Sequence, residues 1–161
     1  MLTLAAQCRS ELRELLSRYA IELAEIPIDQ DIPHSYWGNP EAGRLRSKLF
    51  ARPDTPLHSI LHEACHYICI PFDQRQSEKI DAGGSFAEEN ATCYLQIMLG
   101  EQLEDYSREI HFQDMDTWGY SFRLGSARRW FYEDAEDTQA WLKLQKLLTP
   151  EGQLSWQLRT K

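Results

Sequence analysis

The chain predicts a mainly helical fold, α+β with at most a small sheet, on three observations. Apolar residues recur at helical spacing in five segments, only the stretch 44–52 reads as a strand, and proline and glycine gather between the periodic segments. At 161 residues the length fits one domain, taken as 1–161. A globule of this size buries roughly 70% of its unfolded surface, so it needs no structural metal or disulfide to fold.

Taken in order, residues 3–24 carry Leu4, Leu12, Leu15, Leu16, Tyr19, Ile21 and Leu23 among Arg, Glu and Gln, which predicts an amphipathic opening helix. "IPIDQDIPHSYWGNPEAG" (26–43), with three prolines and two glycines, is a loop with room for a short strand. "RLRSKLFAR" (44–52) has no clean period, and its place before a Pro-Asp-Thr-Pro turn favours a strand. A helix is expected from Thr55-Pro56, with Thr55 as cap and Pro56 in the first turn, to about Cys69 before Pro71. Ser85 caps a further helix reaching roughly Glu104, and two short helices follow at 126–135 and 138–148.

A 42% hydrophobic fraction beside 26% charged residues describes a folded soluble chain. The net charge of −8 repels nucleic acid and anionic membranes, so neither is expected as the main partner. The short basic stretches 43–52 and 127–129 read as solvated faces. Cys8, Cys65, Cys69 and Cys93 form no CxxC pair and read as reduced thiols. The opening residues lack a basic n-region and meet charge by Arg9, so no signal peptide is expected, and no apolar run reaches membrane-spanning length. A cytoplasmic location follows as an expectation.

The chemistry concentrates in "LHSILHEACHYIC" (57–69). Each helical residue turns the chain by about 100°, so His62 and His66 project from one face a turn apart, able to share one tetrahedral zinc. Glu63 lies about 60° around from His66, placed to reach water at the metal without itself ligating. Leu57, Ile60, Leu61, Ala64 and Ile68 make the helix otherwise apolar, which turns the histidines inward, where unpartnered imidazoles are costly. His58 continues the four-residue spacing and reads as a supporting residue rather than a ligand. The bland alternative is a core helix whose histidines find hydrogen bonds elsewhere.

A catalytic zinc needs a third protein ligand and an open fourth position. In the next helix Ala91, Thr92, Leu95 and Leu99 share or border the face of Glu88, while Glu89 lies over Cys93, Gln96 and Gly100. The apolar stripe marks the inward side, so the expected ligands are His62, His66 and Glu88, with Glu89 and Asp81 in reserve. Ser85-x-x-Glu88 also reads as a capping box, which competes for the same carboxylate.

"HEACH", a 21-residue gap to Glu88 and the "ENATCYLQIML" that follows it resemble the gluzincin metallopeptidases, in particular short intracellular members acting on repressors and stress regulators. The resemblance covers residues 55–99. Glu88 and Ala91 stand where the family has E-x-x-A-[ND]; Thr92 departs from the amide or acid that supports a metal-binding histidine there. Thr55 matches a threonine near the start of the family's metal helix, at a longer spacing to His62 than the family has. The resemblance implies a zincin-like domain, its H-E-x-x-H helix packed on a second, ligand-bearing helix.

The leading expectation is a zinc-dependent hydrolase acting on a peptide or protein substrate at an amide bond, with Glu63 as the catalytic base. Tyr120, Arg123 and His111 are available for oxyanion support, each with a packing role as its alternative. Two other classes stay open. Two histidines and a carboxylate also build the Fe2+ site of non-haem hydroxylases, and Cys65, Cys69 or Cys93 can close a non-catalytic metal or thiol sensor.

Overall fold

A computed structural model describes residues 1–77 and 84–161. Seven α-helices and one three-stranded sheet are found among them, in agreement with the mainly helical expectation. A short 3-10 turn, Leu4–Ala6, leads into α1 (Arg9–Ser17) and β1 (Glu22–Glu25). The hairpin β2 (Gly43–Leu45) and β3 (Lys48–Ala51) precedes α2 (Leu57–Cys69) and α3 (Phe72–Arg75). The remainder is α4 (Phe86–Gly100), α5 (Arg108–Trp118), α6 (Ala127–Glu133) and α7 (Glu136–Leu144).

The expected opening helix over 3–24 is broken into three pieces. Leu4 and Ala5 donate their backbone N–H groups to Thr55 and Pro53 carbonyls, which holds the first turn apart from α1. Past Ala20, at φ +57°, the pattern changes period: Ile21 and Leu23 are buried and Glu22 is exposed. That alternation belongs to a strand. β1 pairs in parallel with β3, Leu23 opposite Leu49, and β2 pairs antiparallel to β3, giving the order β1-β3-β2.

Helix α2 is the centre of the molecule, buried at ten of its thirteen positions and packed most extensively on α4, with β2, β3 and α5 also against it. Its start differs from expectation in one respect. Thr55 makes no cap; its hydroxyl accepts from Arg52 N–H at 2.8 Å and closes the preceding turn, and Pro56 takes the cap position. The helix ends at Cys69, before Pro71, as expected. α4 starts at Ser85 with the expected capping box and stops at Gly100. Every residue from Ala91 to Gly100 is buried, so this part of α4 lies inside the domain on all sides, while Phe86 in the first turn is exposed.

Helix α5 has no counterpart in the sequence reading. Ser107 caps it, accepting from Ile110 N–H, and Gly119 ends it in the left-handed conformation at φ +106°. Its inner face carries His111 and Asp114 beside Phe112 and Met115, which hides the apolar period. Asp114 is satisfied by the Tyr106 hydroxyl at 2.9 Å and the Leu2 N–H at 3.2 Å.

The C-terminal tail ties the two central helices together. Arg159 donates from its backbone to Ile68 O, and from its guanidinium to Cys69 O at 3.0 Å and Glu88 Oε1 at 2.7 Å. One side chain thus joins the C-terminal end of α2 to the first turn of α4.

No helix among the described residues is long and apolar enough to cross a membrane. All four cysteines are free, Cys8 exposed and the rest buried. The Ser10 hydroxyl lowers the pKa of Cys8, while burial raises that of Cys65 and pushes that of Cys69 up to about 12. Alkylation of the native protein near neutral pH is therefore expected to add one small adduct, at Cys8, by intact mass. Rapid addition at Cys65 or Cys69 would contradict this packing.

Candidate metal centre

The register of α2 brings His62 and His66 side by side, their ring centroids 4.5 Å apart and their planes nearly perpendicular. A carboxylate from α4 faces both. Glu89 Oε1 lies 3.3 Å from His62 Nε2, and Glu89 Oε2 lies 3.5 Å from His66 Nε2. These spacings are long for charge-assisted hydrogen bonds, which run to about 2.9 Å. They match the edge of a coordination tetrahedron, about 3.3 Å when metal–ligand bonds are about 2.0–2.1 Å. His62, His66 and Glu89 form the only group of three or more potential ligands among the described residues, each offering an atom within 4.8 Å of the others. The donor set fits a divalent ion of the zinc or iron type.

The carboxylate in place is Glu89, not the expected Glu88. Glu88 is committed elsewhere: Oε1 accepts from Arg159, and Oε2 accepts from the Ser85 backbone in the capping box. The inference from the apolar stripe inverts because α4 is buried all round from Ala91 to Gly100, so apolar residues do not mark the side facing α2. Glu89 and Gln96 face it instead, Glu89 opposite His62 and His66 and Gln96 at His62. Asp81, the other reserve ligand, lies outside the described residues.

Gln96 supplies the support that the sequence reading missed. Its carbonyl oxygen lies 2.6 Å from His62 Nδ1, so that nitrogen donates and Nε2 is left to face Glu89. The Gln96 amide reaches His111 Nε2 at 3.0 Å and His58 O at 3.4 Å. A buried glutamine on a helix next to a metal helix is the sequence signal for this role, available once Glu89 is taken as the ligand.

The charge states follow from these contacts. Burial favours neutral His66, with a pKa near 3, and neutral His58, also near 3. Burial likewise lowers His111. At His62 burial works in the same direction, but Tyr120, Cys93 and Glu89 around the ring outweigh it and hold the pKa above its usual range. Burial raises Glu89, and the two imidazoles overcome that and lower it.

The centre sits in a cleft of about 440 Å³ lined by His58, Glu63, Tyr120, Trp118, Glu41 and the loop aromatics Tyr36 and Trp37, besides the three donors. Glu63 stands on the wall, its pKa raised by burial and partly restored by His62 and Arg44, whose Nε is 3.9 Å away. Tyr120 borders His62, ring centroids 5.7 Å apart, with its hydroxyl 3.1 Å from His58 Nδ1. Burial keeps its phenol protonated. His111 is fully buried beneath Gln96 and does not reach the cleft. Arg123 pairs with Asp134 on a separate cleft of about 680 Å³. Cys65 and Cys69 join no ligand group, and Cys93 packs beside His62 without completing one.

No protein-family model, curated protein or solved structure matches this chain.

The two neighbouring glutamates separate in one experiment. Glu89→Ala is expected to abolish stoichiometric zinc binding in equilibrium dialysis while leaving the fold intact. Glu88→Ala retains zinc and lowers unfolding free energy by about 2 kcal/mol, because Arg159 loses a charge-assisted partner.

Proposed function

We propose that the chain is a zinc-dependent hydrolase of the metallopeptidase type, cleaving an amide bond in a peptide or protein. The observation that carries this reading is the His62–His66–Glu89 donor set at the floor of an open cleft, with an unligated, partly buried glutamate next to it. Zinc held there would bring the pKa of its water to about 7 and polarise a substrate carbonyl.

The chain's own groups supply the rest. Glu63 accepts the proton of the attacking water and returns it to the leaving amine; a carboxyl with a raised pKa suits both transfers. Tyr120, kept as the neutral phenol beside His62, is placed to donate to the oxyanion that develops on the substrate. Gln96 keeps His62 in the ligating tautomer, and the Arg159 link holds the first turn of α4 against α2. The H-E-x-x-H of α2 is the part of the likeness to gluzincins that supports the same class; counted from Glu89, Thr92 and Cys93 stand where the family has Ala and Asn or Asp.

A second reading has one observation of its own. Two histidines and one carboxylate, lining an open cleft, are also the ligand set of two-histidine, one-carboxylate iron hydroxylases.

Metal analysis with activity measurements on wild-type protein, His62→Ala and Glu63→Gln tests the proposal. The expected results are one zinc in the wild type and loss of zinc in His62→Ala. Glu63→Gln retains zinc with turnover of a quenched fluorescent peptide mixture lowered by about 10²–10⁴-fold. Bound iron with oxygen-dependent substrate oxidation would move the assignment to the hydroxylase. Full turnover by Glu63→Gln would end the hydrolase reading.

A further inference from the structure

The cleft over the candidate metal centre has a strongly biased wall. Among the described residues lining it are three carboxylates, Glu41, Glu63 and Glu89, and four aromatic side chains, Tyr36, Trp37, Trp118 and Tyr120, but neither lysine nor arginine. Two of the carboxylates have tasks in the reading above: Glu89 faces the cation and Glu63 moves the proton. Glu41 has none. Its Oε1 accepts from the Trp118 indole N–H at 2.6 Å, which fixes the carboxylate beside that ring.

The aromatic groups around Glu41 are exposed, and the loop that carries two of them is tied down. Trp37 is 78% exposed, Tyr36 51% and Trp118 38%. Tyr36 and Trp37 pack edge to face with centroids 4.9 Å apart. The loop is braced by Ile32 N–H to Asn39 Oδ1 at 2.9 Å, by Ser35 Oγ to Gly38 O at 3.1 Å and by Ala42 N–H to Ser59 Oγ at 2.9 Å. Gly43 permits this seating, since a Cβ there would lie 1.9 Å from Pro33 O. Exposed indole and phenol rings held in position beside a carboxylate form a receptor for an organic cation: the ring faces attract it and the carboxylate pairs with it. The net charge of −8 draws a basic substrate toward the protein over longer range.

We infer that Glu41, Trp118, Trp37 and Tyr36 form a subsite for the cationic side chain, lysine or arginine, of the substrate processed at the adjacent centre. This rests on the cleft being the substrate site of the proposed enzyme. The subsite itself is made of residues other than the metal ligands, so it does not need the metal in order to bind. Arg44 approaches Glu63 from β2, 3.9 Å from its carboxylate, and is not among the residues lining the cleft.

The test uses the full chain labelled with 5-fluorotryptophan, in metal-free and zinc-loaded forms, followed by fluorine NMR. The probes are the pentapeptides Ac-Ala-Ala-X-Ala-Ala-NH2 with lysine, norleucine or glutamate at X. The lysine peptide is expected to shift the Trp37 and Trp118 resonances, assigned with Trp37→Phe and Trp118→Phe, and to bind about tenfold tighter than the norleucine peptide. The glutamate peptide binds more weakly than either. Glu41→Gln keeps the oxygen that accepts from Trp118 and removes the charge, so it should erase the preference for lysine without changing zinc content. Equal affinity for lysine and norleucine, no binding of any peptide, or a lysine preference that survives Glu41→Gln would each overturn the subsite. Lysine preference in a protein that binds no zinc would uphold the subsite and remove the hydrolase. Zinc-dependent turnover without lysine preference would do the reverse.

Discussion

The structure turns on how two imidazoles are satisfied at the interface of α2 and α4. Burying His62 and His66 against apolar neighbours costs free energy unless each ring nitrogen meets a partner. α4 meets three of the four nitrogens from one polar stripe: Gln96 takes Nδ1 of His62, and Glu89 faces Nε2 of both rings. A glutamine and a glutamate seven residues apart on one helix face thereby set the rotation of α4 against α2. The same contact makes a compact, pre-oriented donor set for a cation.

The rest of the fold supports that interface and leaves one side open. The Arg159 guanidinium bridges the end of α2 and the start of α4, a link that keeps Glu88 occupied and Glu89 available. α5 closes the far side through His111, which receives the Gln96 amide, and delivers Trp118 and Tyr120 to the rim. Loop 26–42 is anchored on α2 at Ser59 and brings Tyr36, Trp37 and Glu41 over the opening. Floor, wall and rim of the cleft thus come from separate parts of the chain, each held by contacts that can be named.

Much of this is legible in the sequence alone. The helix from residue 57 to Cys69, the Ser85 capping box, the two late helices and the convergence of His62 with His66 follow from spacing and capping chemistry alone. What was hidden shares a physical cause: tertiary partners replaced the local pattern. Leu4 and Ala5 bond across to the 53–55 turn, so a continuous amphipathic period breaks into a turn, a helix and a strand. His111 and Asp114 are buried because Gln96, Tyr106 and Leu2 partner them, so α5 lacks a clean apolar face despite readable caps at Ser107 and Gly119. The carboxylate that meets the two histidines, Glu89 rather than Glu88, is hidden for a related reason. In a helix enclosed on every side, apolar residues face all directions, and only polar residues with partners identify the functional face.

X-ray absorption at the metal edge of the purified, metal-loaded protein tests the central claim most directly. The account predicts a first shell of two imidazole nitrogens and carboxylate oxygen at about 2.0–2.2 Å, with no sulfur and at least one exchangeable light-atom position. A shell containing thiolate at about 2.3 Å, or one with a single imidazole, would contradict it.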